Sequence, residues 1–452
     1  MPVDRIFGTD GVRGVANADL TPELAFRIGR AGAAVLARDA APGVPILIGR
    51  DTRLSGTMLE AAVTAGITSA GRDTLSLGIL PTPGVARLTV LSGAAAGVMI
   101  SASHNPIEDN GVKFFGPDGF KLSDESEDAI EAAVRDDSAL PRPTHAGVGI
   151  ARTGHELAER YFDTLVAGRP DLSALTVVVD AAFGAAYAVG PRALAALGAR
   201  VEPLHAADDG ARINVACGST DLSALTLRVR ELARADPSAH VLGVAFDGDA
   251  DRALFVDESG ATVDGDRVML VLAREKKRRG SLRGDTVVGT VMSNIGLERA
   301  LAAEGIALLR AAVGDRYVLE AMRAGNFSFG GEQSGHVIDL DRNTTGDGPG
   351  TAIDLLAVVA GAGHSLRDLA AALHVAPQIL VNVRTPHKAV LESGAVRAAI
   401  ARATAELGAS GRILVRASGT EPLIRVMIEG DDAERIGSLA RGLAEIVRSA
   451  AQ

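Results

Sequence analysis

Three aspartates occupy every second position of the stretch FDGDADR: Asp247, Asp249 and Asp251, with Gly248 and Ala250 between them. Carboxylates held together repel one another unless a cation lies among them, and an all-oxygen donor set favours Mg2+ or Ca2+ over Zn2+. The apolar run VLGVAF (241–246) reads as a buried strand leading into them, and alternate residues of an extended chain point the same way. The spacing also matches positions 1, 3 and 5 of a Ca2+-binding EF-hand loop, with Glu258 at position 12. Arg252 stands at position 6, where that loop requires glycine, and the flanks read as strands, so the EF-hand is excluded. An aspartyl-phosphate nucleophile at Asp247 stays open. A merely solvated acidic turn fits poorly directly after a buried strand. Arg252 adds a cation beside the carboxylates, a combination suited to a phosphoryl group.

The stretch ISASHNP (100–106) offers Ser101, Ser103 and His104. Neighbours in an extended chain point to opposite faces, so Ser103 with His104 makes an awkward nucleophile–base pair, and no G-x-S-x-G elbow surrounds them. A serine at a strand end can instead take a phosphoryl group with the help of a metal; a polar turn is the plain alternative. RASGTEP (416–422) has the makings of a phosphate site: the Arg416 fork, the Ser418 and Thr420 hydroxyls, and Gly419 to let the backbone approach, with Arg425 as a second cation. A simple Ser-Gly turn between strands weighs equally on those residues alone. In GEQSGH (331–336), Glu332, Ser334 and His336 alternate and would share one side of an extended segment. His336 is an acid/base, orienting or purely structural histidine. Lys113, among apolar neighbours in GVKFF, and Arg13, in the glycine-rich GTDGVRG, are further cations for a phosphoryl site.

These side chains need elements to hold them. Short β-branched runs alternate with alanine-rich helical segments. VPILIGR (44–50), DTLSLGI (73–79), LTVVVD (175–180) and DTVVGTV (285–291) read as strands. TPELAFRIGRAGAAVLAR (21–38), SGTMLEAAVTAGITSAG (55–71), GAAYAVGPRALAALG (184–198) and SNIGLERALAAEG (293–305) read as helices. This alternation predicts α/β layers with largely parallel pairing. PQILVNV, RILVRA, LIRVMIEG and a final helix from Asp431 predict a smaller α+β unit at the end of the chain. Polar or Pro-containing junctions divide the 452 residues at about 152, 257 and 374, into units 1–152, 153–257, 258–374 and 375–452.

Composition excludes several classes. Net charge is 46 − 56 = −10, which disfavours a nucleic-acid binder, and the run REKKRRG (274–280) reads as the solvated end of a helix. Cys217 is alone, so no intrachain disulfide forms; it reads as structural, in a reducing compartment. No stretch is apolar enough for a membrane span and no apolar leader opens the chain, so a soluble cytoplasmic protein is expected. Aromatic residues are only 3%, leaving aliphatic side chains and close glycine contacts to build the cores.

ASHNP, DGDADR, GEQSGH and RASGTEP, in this order, resemble the motifs of the phosphohexomutase superfamily. With FGTDGVRG (7–14), the resemblance covers essentially the whole chain. It implies an α/β fold of three similar domains with mixed sheets, plus a smaller C-terminal α+β domain, around a central cleft. It further implies a phosphoserine at Ser103 rather than Ser101. One Mg2+ would be held by Asp247, Asp249, Asp251 and an oxygen of that phosphoserine. Glu332 and Ser334 would grip sugar hydroxyls, Arg13, Lys113, Arg252 and His336 would serve the transfer, and Arg416, Ser418, Gly419, Thr420 and Arg425 would hold the distal phosphate. Gln333 stands where relatives acting on glucose and mannose phosphates commonly have Met, which points to glucosamine phosphates. The implied reaction interconverts glucosamine 6-phosphate and glucosamine 1-phosphate through a 1,6-bisphosphate, toward UDP-N-acetylglucosamine and cell-wall precursors. The implied enzyme is a monomer or homodimer whose partner is a small sugar phosphate. A glucose- or mannose-phosphate mutase and a non-catalytic sugar-phosphate sensor are the alternatives. Asp315, Arg316 and Asp347 match motifs without an assigned role, and Ala417 departs from the larger residue common there.

Overall fold

A computed structural model describes residues 5–8, 10–418 and 422–451 of the chain. Its strands form four sheets in chain order. The first holds β1 (Val12–Val15), β2 (Ile46–Arg50), β3 (Thr74–Ile79), β4 (Ala96–Ile100), β5 (Asp109–Phe115) and β6 (Ala151–Thr153), ordered β1-β5-β4-β2-β3-β6. The second holds β7 (Leu175–Asp180), β8 (Arg200–Leu204), β9 (His240–Phe246), β10 (Ala253–Val256) and β11 (Thr262–Val263), ordered β11-β10-β9-β7-β8. The third holds β12 (Thr286–Thr290), β13 (Ala307–Ala311), β14 (Phe329–Gly331) and β15 (Val337–Asp339), ordered β13-β12-β14-β15. The fourth holds β16 (Gln378–Arg384), β17 (Gly411–Ala417) and β18 (Leu423–Gly430), ordered β16-β18-β17 and antiparallel throughout.

The first three sheets are mixed, which corrects the largely parallel pairing expected from strand–helix alternation. Parallel runs (β4-β2-β3-β6, β9-β7-β8, β13-β12-β14) carry the helices, as crossovers require. Each sheet contains an antiparallel hairpin of consecutive strands: β4 with β5, β9 with β10, β14 with β15, β17 with β18; β1 with β5, β10 with β11 and β16 with β18 are antiparallel too. The loops of the first three hairpins are the SHNP, DGDADR and EQSGH stretches, and Ser418 and Pro422 are the described residues between the strands of the fourth. The candidate chemistry therefore sits in the same structural position four times over.

Local signals account for most element limits. Thr21 caps helix Pro22–Leu36 by accepting from the Leu24 amide, with Pro22 in the first turn. Helix Gly265–Arg278 ends in the basic run, where Arg278 and Arg279 pair with Glu275, and Lys276 with Asp339 and Asp341. The helix expected from Gly184 starts only at Val189. Ala182 and Phe183 have positive φ, and the Ala185 amide donates to the Gly248 carbonyl, so this stretch is a turn packed on the aspartate loop.

One continuous apolar cluster runs through the first three sheets, from Leu47 and Met99 through Val177 and Phe246 to Val287, Phe329 and helix Gly348–Ala362. The fourth sheet has its own small cores with helices Gly394–Leu407 and Ala433–Ala450. It joins the rest through polar contacts. Asn294 accepts from the Ala376 amide and donates to its carbonyl, while Arg412 donates to the Val291 carbonyl and pairs with Glu429.

Close helix contacts replace aromatic bulk. A Cβ on Gly66 would lie 2.1 Å from the Phe26 carbonyl oxygen, and one on Gly29 2.5 Å from that of Val63. Gly66→Ala is expected to destabilise the first unit by about 1–3 kcal/mol, the cost of overpacking a filled contact. Chemical denaturation of the two proteins side by side measures it.

Candidate active site

Ser103 lies at the tip of the β4–β5 hairpin, 1% exposed, with φ 52°. This left-handed conformation is costly for a residue with a Cβ and needs external support. The Ser103 carbonyl accepts from Arg53 Nη2 and from Asn214 Nδ2, both at 2.9 Å, and its amide donates to Ser101 Oγ at 2.8 Å. Arg53 also reaches the carbonyls of Asn105, Pro106 and Asp109, so one buried guanidinium shapes the whole loop. Ser101 Oγ donates to Asp51 at 2.6 Å. Ser103 Oγ instead donates to Asp247 Oδ2 at 2.6 Å, across two units of the fold.

The φ of Ser103 also overturns the expectation that Ser103 and His104 point apart. In this turn Ser103 Oγ and His104 Nδ1 are 3.3 Å apart. Partial burial, then Arg252 and Arg13, push the His104 imidazole down to about 4, so the ring is neutral at pH 7. The serine hydroxyl is directed at the carboxylate, and the histidine flanks it.

Asp247, Asp249 and Asp251 do converge, with ligand oxygens within 4.8 Å of one another, all buried. They converge through a turn rather than an extended segment: the Ala250 amide donates to the Asp247 carbonyl, and Ala250 has φ 55°. Burial, then Asp251 and Asp249, raise Asp247 to about 8. Burial pushes Asp251 up as well, but His336, Lys113 and Arg252 outweigh it and hold that carboxyl well below the usual range. Oδ1 of Asp249 and Oδ1 of Asp251 are buried without a hydrogen-bond partner. Orphaned carboxylate oxygens in a triple-aspartate turn are the donor set a hard divalent cation takes up.

Other units supply positive charge to this cluster. Lys113 Nζ lies 2.8 Å from Asp249 and 3.0 Å from Asp10, and is 2% exposed. Burial opposes its charge, but Asp10 and Asp249 outweigh burial and raise its pKa. His336 Nδ1 is 3.5 Å from Asp251, and its Nε2 is 3.6 Å from Asp315. Burial opposes the imidazolium and the Gly346 amide, 3.2 Å from Nε2, favours the neutral ring, yet the two carboxylates raise its pKa. Arg252 Nε is 3.8 Å from Asp251, and its amide donates to Asp247. Arg13 bonds Asp10 and reaches Asn105. Thr82 Oγ1 donates to Asp249 at 2.6 Å.

In the β14–β15 hairpin, the Glu332 amide donates to the His336 carbonyl and the Gly335 amide to the Glu332 carbonyl. The expected single-sided extended segment is thus a tight loop. Glu332 Oε1 accepts from the Gly314 amide, His336 turns to Asp251, and Ser334 Oγ is buried with no hydrogen-bond partner. Gln333 Nε2 lies 3.3 Å from Asp266 and 3.4 Å from Asp264. In the fourth hairpin, Arg416 and Arg425 are directly opposed across β17 and β18, and burial followed by Arg425 lowers the pKa of Arg416. Two guanidiniums side by side favour a bound anion. The Ser418 amide donates to the Leu423 carbonyl, and its own carbonyl accepts from Lys388. Gly419 and Thr420 lie outside the described residues. Ala417 pairs with Ile424 within the sheet, and Asp347 caps helix Gly348–Ala362 and accepts from Tyr161.

Several participants carried no signal of their own in the sequence. Asp10, Lys121 and Asp315 form an ion network joining the first and third units behind Lys113 and His336. Arg53, Asn214 and Lys388 hold the loops. The only hint was position: Asp10 lies inside GTDGVRG, and Asp315 in VGDRY.

The fold and the site define a phosphosugar mutase of four units, and the comparisons agree. Models of phosphoglucomutase/phosphomannomutase alpha/beta/alpha domains I, II and III match residues 4–140, 159–260 and 264–375, and the C-terminal domain model matches 380–446. The chain belongs to the phosphoglucomutase/phosphomannomutase family. Within it, the chain is 52% identical to a phosphoglucosamine mutase of Desulforamulus reducens over 98% of this chain and 99% of that one. It is 53% identical to one of Symbiobacterium thermophilum over 99% and 100%, and 52% identical to one of Mycolicibacterium paratuberculosis over 99% of each. A phosphoglucomutase/phosphomannomutase family protein of Burkholderia thailandensis shares the fold at TM-score 0.84 and 24% identity, covering 100% and 98% of the chains. An Aspergillus fumigatus N-acetylphosphoglucosamine mutase, solved with GlcNAc-6P and magnesium, does so at 0.67 and 18%, covering 99% and 96%. No helix among the described residues is long and apolar enough to cross a membrane.

Two predictions test the site. Saturating Mg2+ is expected to stabilise the protein by about 2–3 kcal/mol at a hundred-fold excess over Kd, and Asp249→Asn and Asp251→Asn to lose most of that gain; thermal melts with and without Mg2+ read it. Asp266, which accepts from the Asn294 amide at 2.8 Å, is raised to about 7, chiefly by burial and also by Asp264. Its unfolded form ionises near pH 4, so its contribution is full below that and is lost as pH rises to about 7. Asp266→Asn is expected to flatten the fall in stability over that window by about 1 kcal/mol per pH unit. Denaturation at a series of pH values measures the difference.

Proposed function

We propose that this protein is a phosphoglucosamine mutase, which interconverts glucosamine 6-phosphate and glucosamine 1-phosphate in the cytoplasm, on the way to UDP-N-acetylglucosamine. The observation that carries the reading is the Ser103 hydroxyl, buried and aimed at Asp247 within the three-aspartate turn. Full-length identity of about half to phosphoglucosamine mutases supports the choice of sugar.

Asp247, Asp249 and Asp251 would hold one Mg2+ together with an oxygen of phosphorylated Ser103. Bound there, the cation supplies charge neutralisation for the transferring group. Ser103, fixed by Arg53 and Asn214, passes its phosphoryl group to the 1-hydroxyl of glucosamine 6-phosphate, breaking the Oγ–P bond and forming the O1–P bond. The resulting 1,6-bisphosphate turns over, Ser103 Oγ takes the 6-phosphoryl group, and glucosamine 1-phosphate leaves. Arg252 and Arg13 steady the phosphoryl oxygens. Lys113, held charged by Asp10 and Asp249, acts through charge rather than as the base. The His336 imidazole exchanges the proton that each hydroxyl loses or regains, with Asp251 and Asp315 orienting its ring. Glu332 and Ser334 hold the sugar ring, while Arg416, Ser418, Gly419, Thr420 and Arg425 bind whichever phosphate is not reacting. The fourth unit, joined to the third by the Asn294–Ala376 hydrogen bonds, is the one expected to close over the bisphosphate.

Turnover assays decide the sugar. Glucosamine 6-phosphate is expected to be converted at least ten-fold more efficiently, in kcat/KM, than glucose 6-phosphate or mannose 6-phosphate. A preference for the neutral sugars overturns the reading, and no turnover of any of them leaves the non-catalytic sensor.

A further inference from the structure

A second group of metal-type side chains lies behind the serine loop, and the transfer chemistry uses none of it. Asp180 ends β7, His205 follows β8, and Cys217 comes from the segment before β9, so three separate strands of chain meet there. Their ligand atoms all lie within 4.8 Å of one another. Asp180 and Cys217 are fully buried, while the His205 side chain is a quarter exposed and leaves a way in.

The pairing within this group is incomplete. Asp180 Oδ1 accepts from the Ala182 amide at 2.9 Å. Its Oδ2 lies 3.0 Å from His205 Nδ1, yet both atoms are buried without a hydrogen-bond partner, because their alignment does not form one. A carboxylate oxygen facing an imidazole nitrogen off the hydrogen-bond line is how two ligands of one ion face each other. Oxygen and nitrogen ligands at about 2.0–2.2 Å from a tetrahedral Zn2+ ion stand about 3.3–3.6 Å apart, so the two atoms need to part by only a few tenths of an ångström to take an ion between them. Cys217 Sγ has a long, 3.9 Å contact with the Arg212 carbonyl and lies near the Asn214 backbone. Gly218, with φ 65°, is what lets the thiol reach inward: a Cβ there would lie 2.4 Å from that of Ala182.

We propose that Asp180, His205 and Cys217 bind a second cation, of the zinc class, separate from the Mg2+ site. Sulfur, nitrogen and oxygen together select a borderline ion such as Zn2+ over Mg2+, which keeps to oxygen. The fourth position is left to water. The ion fastens the 205–217 segment to β7. That segment carries Asn214, whose amide donates to the Ser103 carbonyl, so its role is to brace the serine loop.

The test uses the full-length protein, freed of metal with a chelator and returned to Mg2+ buffer, with Co2+ as the probe. Cys217 is the one cysteine of the chain, so a thiolate-to-cobalt charge-transfer band reports this site and not the all-oxygen aspartate turn. One equivalent of Co2+ is expected to produce the band, one equivalent of Zn2+ to abolish it, and His205→Ala and Asp180→Asn to weaken Co2+ binding at least ten-fold. Absence of the band in the wild-type protein overturns the proposal whatever the variants do. So does a band whose Co2+ affinity is unchanged in both variants when their circular dichroism is native.

Discussion

Three buried carboxylates in one turn cannot all stay ionised without positive charge close by, and most of the site is arranged around that demand. Burial, with Asp251 and Asp249 beside it, raises Asp247, while His336 and Lys113 hold Asp251 down. Lys113 from the first unit, His336 from the third and Arg252 from the turn itself are drawn in as partial compensation. The compensation is incomplete, as the buried Asp249 Oδ1 without a hydrogen-bond partner shows. The proposed divalent cation and phosphoryl group would complete the balance.

The fold meets that demand by repetition. Each unit offers the loop of one antiparallel hairpin, set at the edge of a parallel run in the first three units and within an all-antiparallel sheet in the fourth. Three units share an apolar core, which fixes the serine, aspartate and glutamate loops relative to one another. The fourth is joined through polar contacts at Asn294, Ala376 and Arg412. Rigid packing suits groups that must meet within hydrogen-bond distance, and a polar joint is compatible with the movement proposed for the fourth unit.

The sequence made the elements and the motifs legible because both are local. Strand β7 falls where LTVVVD placed it, and Asp247 with its two neighbours was recognisable from spacing after an apolar run. What misled was the assumption of extended backbone. Ser103 and Ala250 take positive φ, and GEQSGH folds back on itself, so alternation did not set which side chains share a side. Backbone turns of this kind depend on partners far away in sequence, such as Arg53 and Asn214 for Ser103. The same holds for Cys217, which looked isolated until β7 and the chain after β8 brought Asp180 and His205 beside it. Asp10 and Lys121 were missed, and Asp315 was noted without a role, because an ion network across units leaves no spacing signature.

The central claim is that Ser103, not Asp247, carries the phosphoryl group between half-reactions. Incubation with a labelled bisphosphate, followed by peptide mass spectrometry and exposure of the labelled protein to hydroxylamine, tests it most directly. Phosphate is expected on the peptide containing Ser103, stable to hydroxylamine and lost in Ser103→Ala. Phosphate on the Asp247 peptide, released by hydroxylamine, would contradict it.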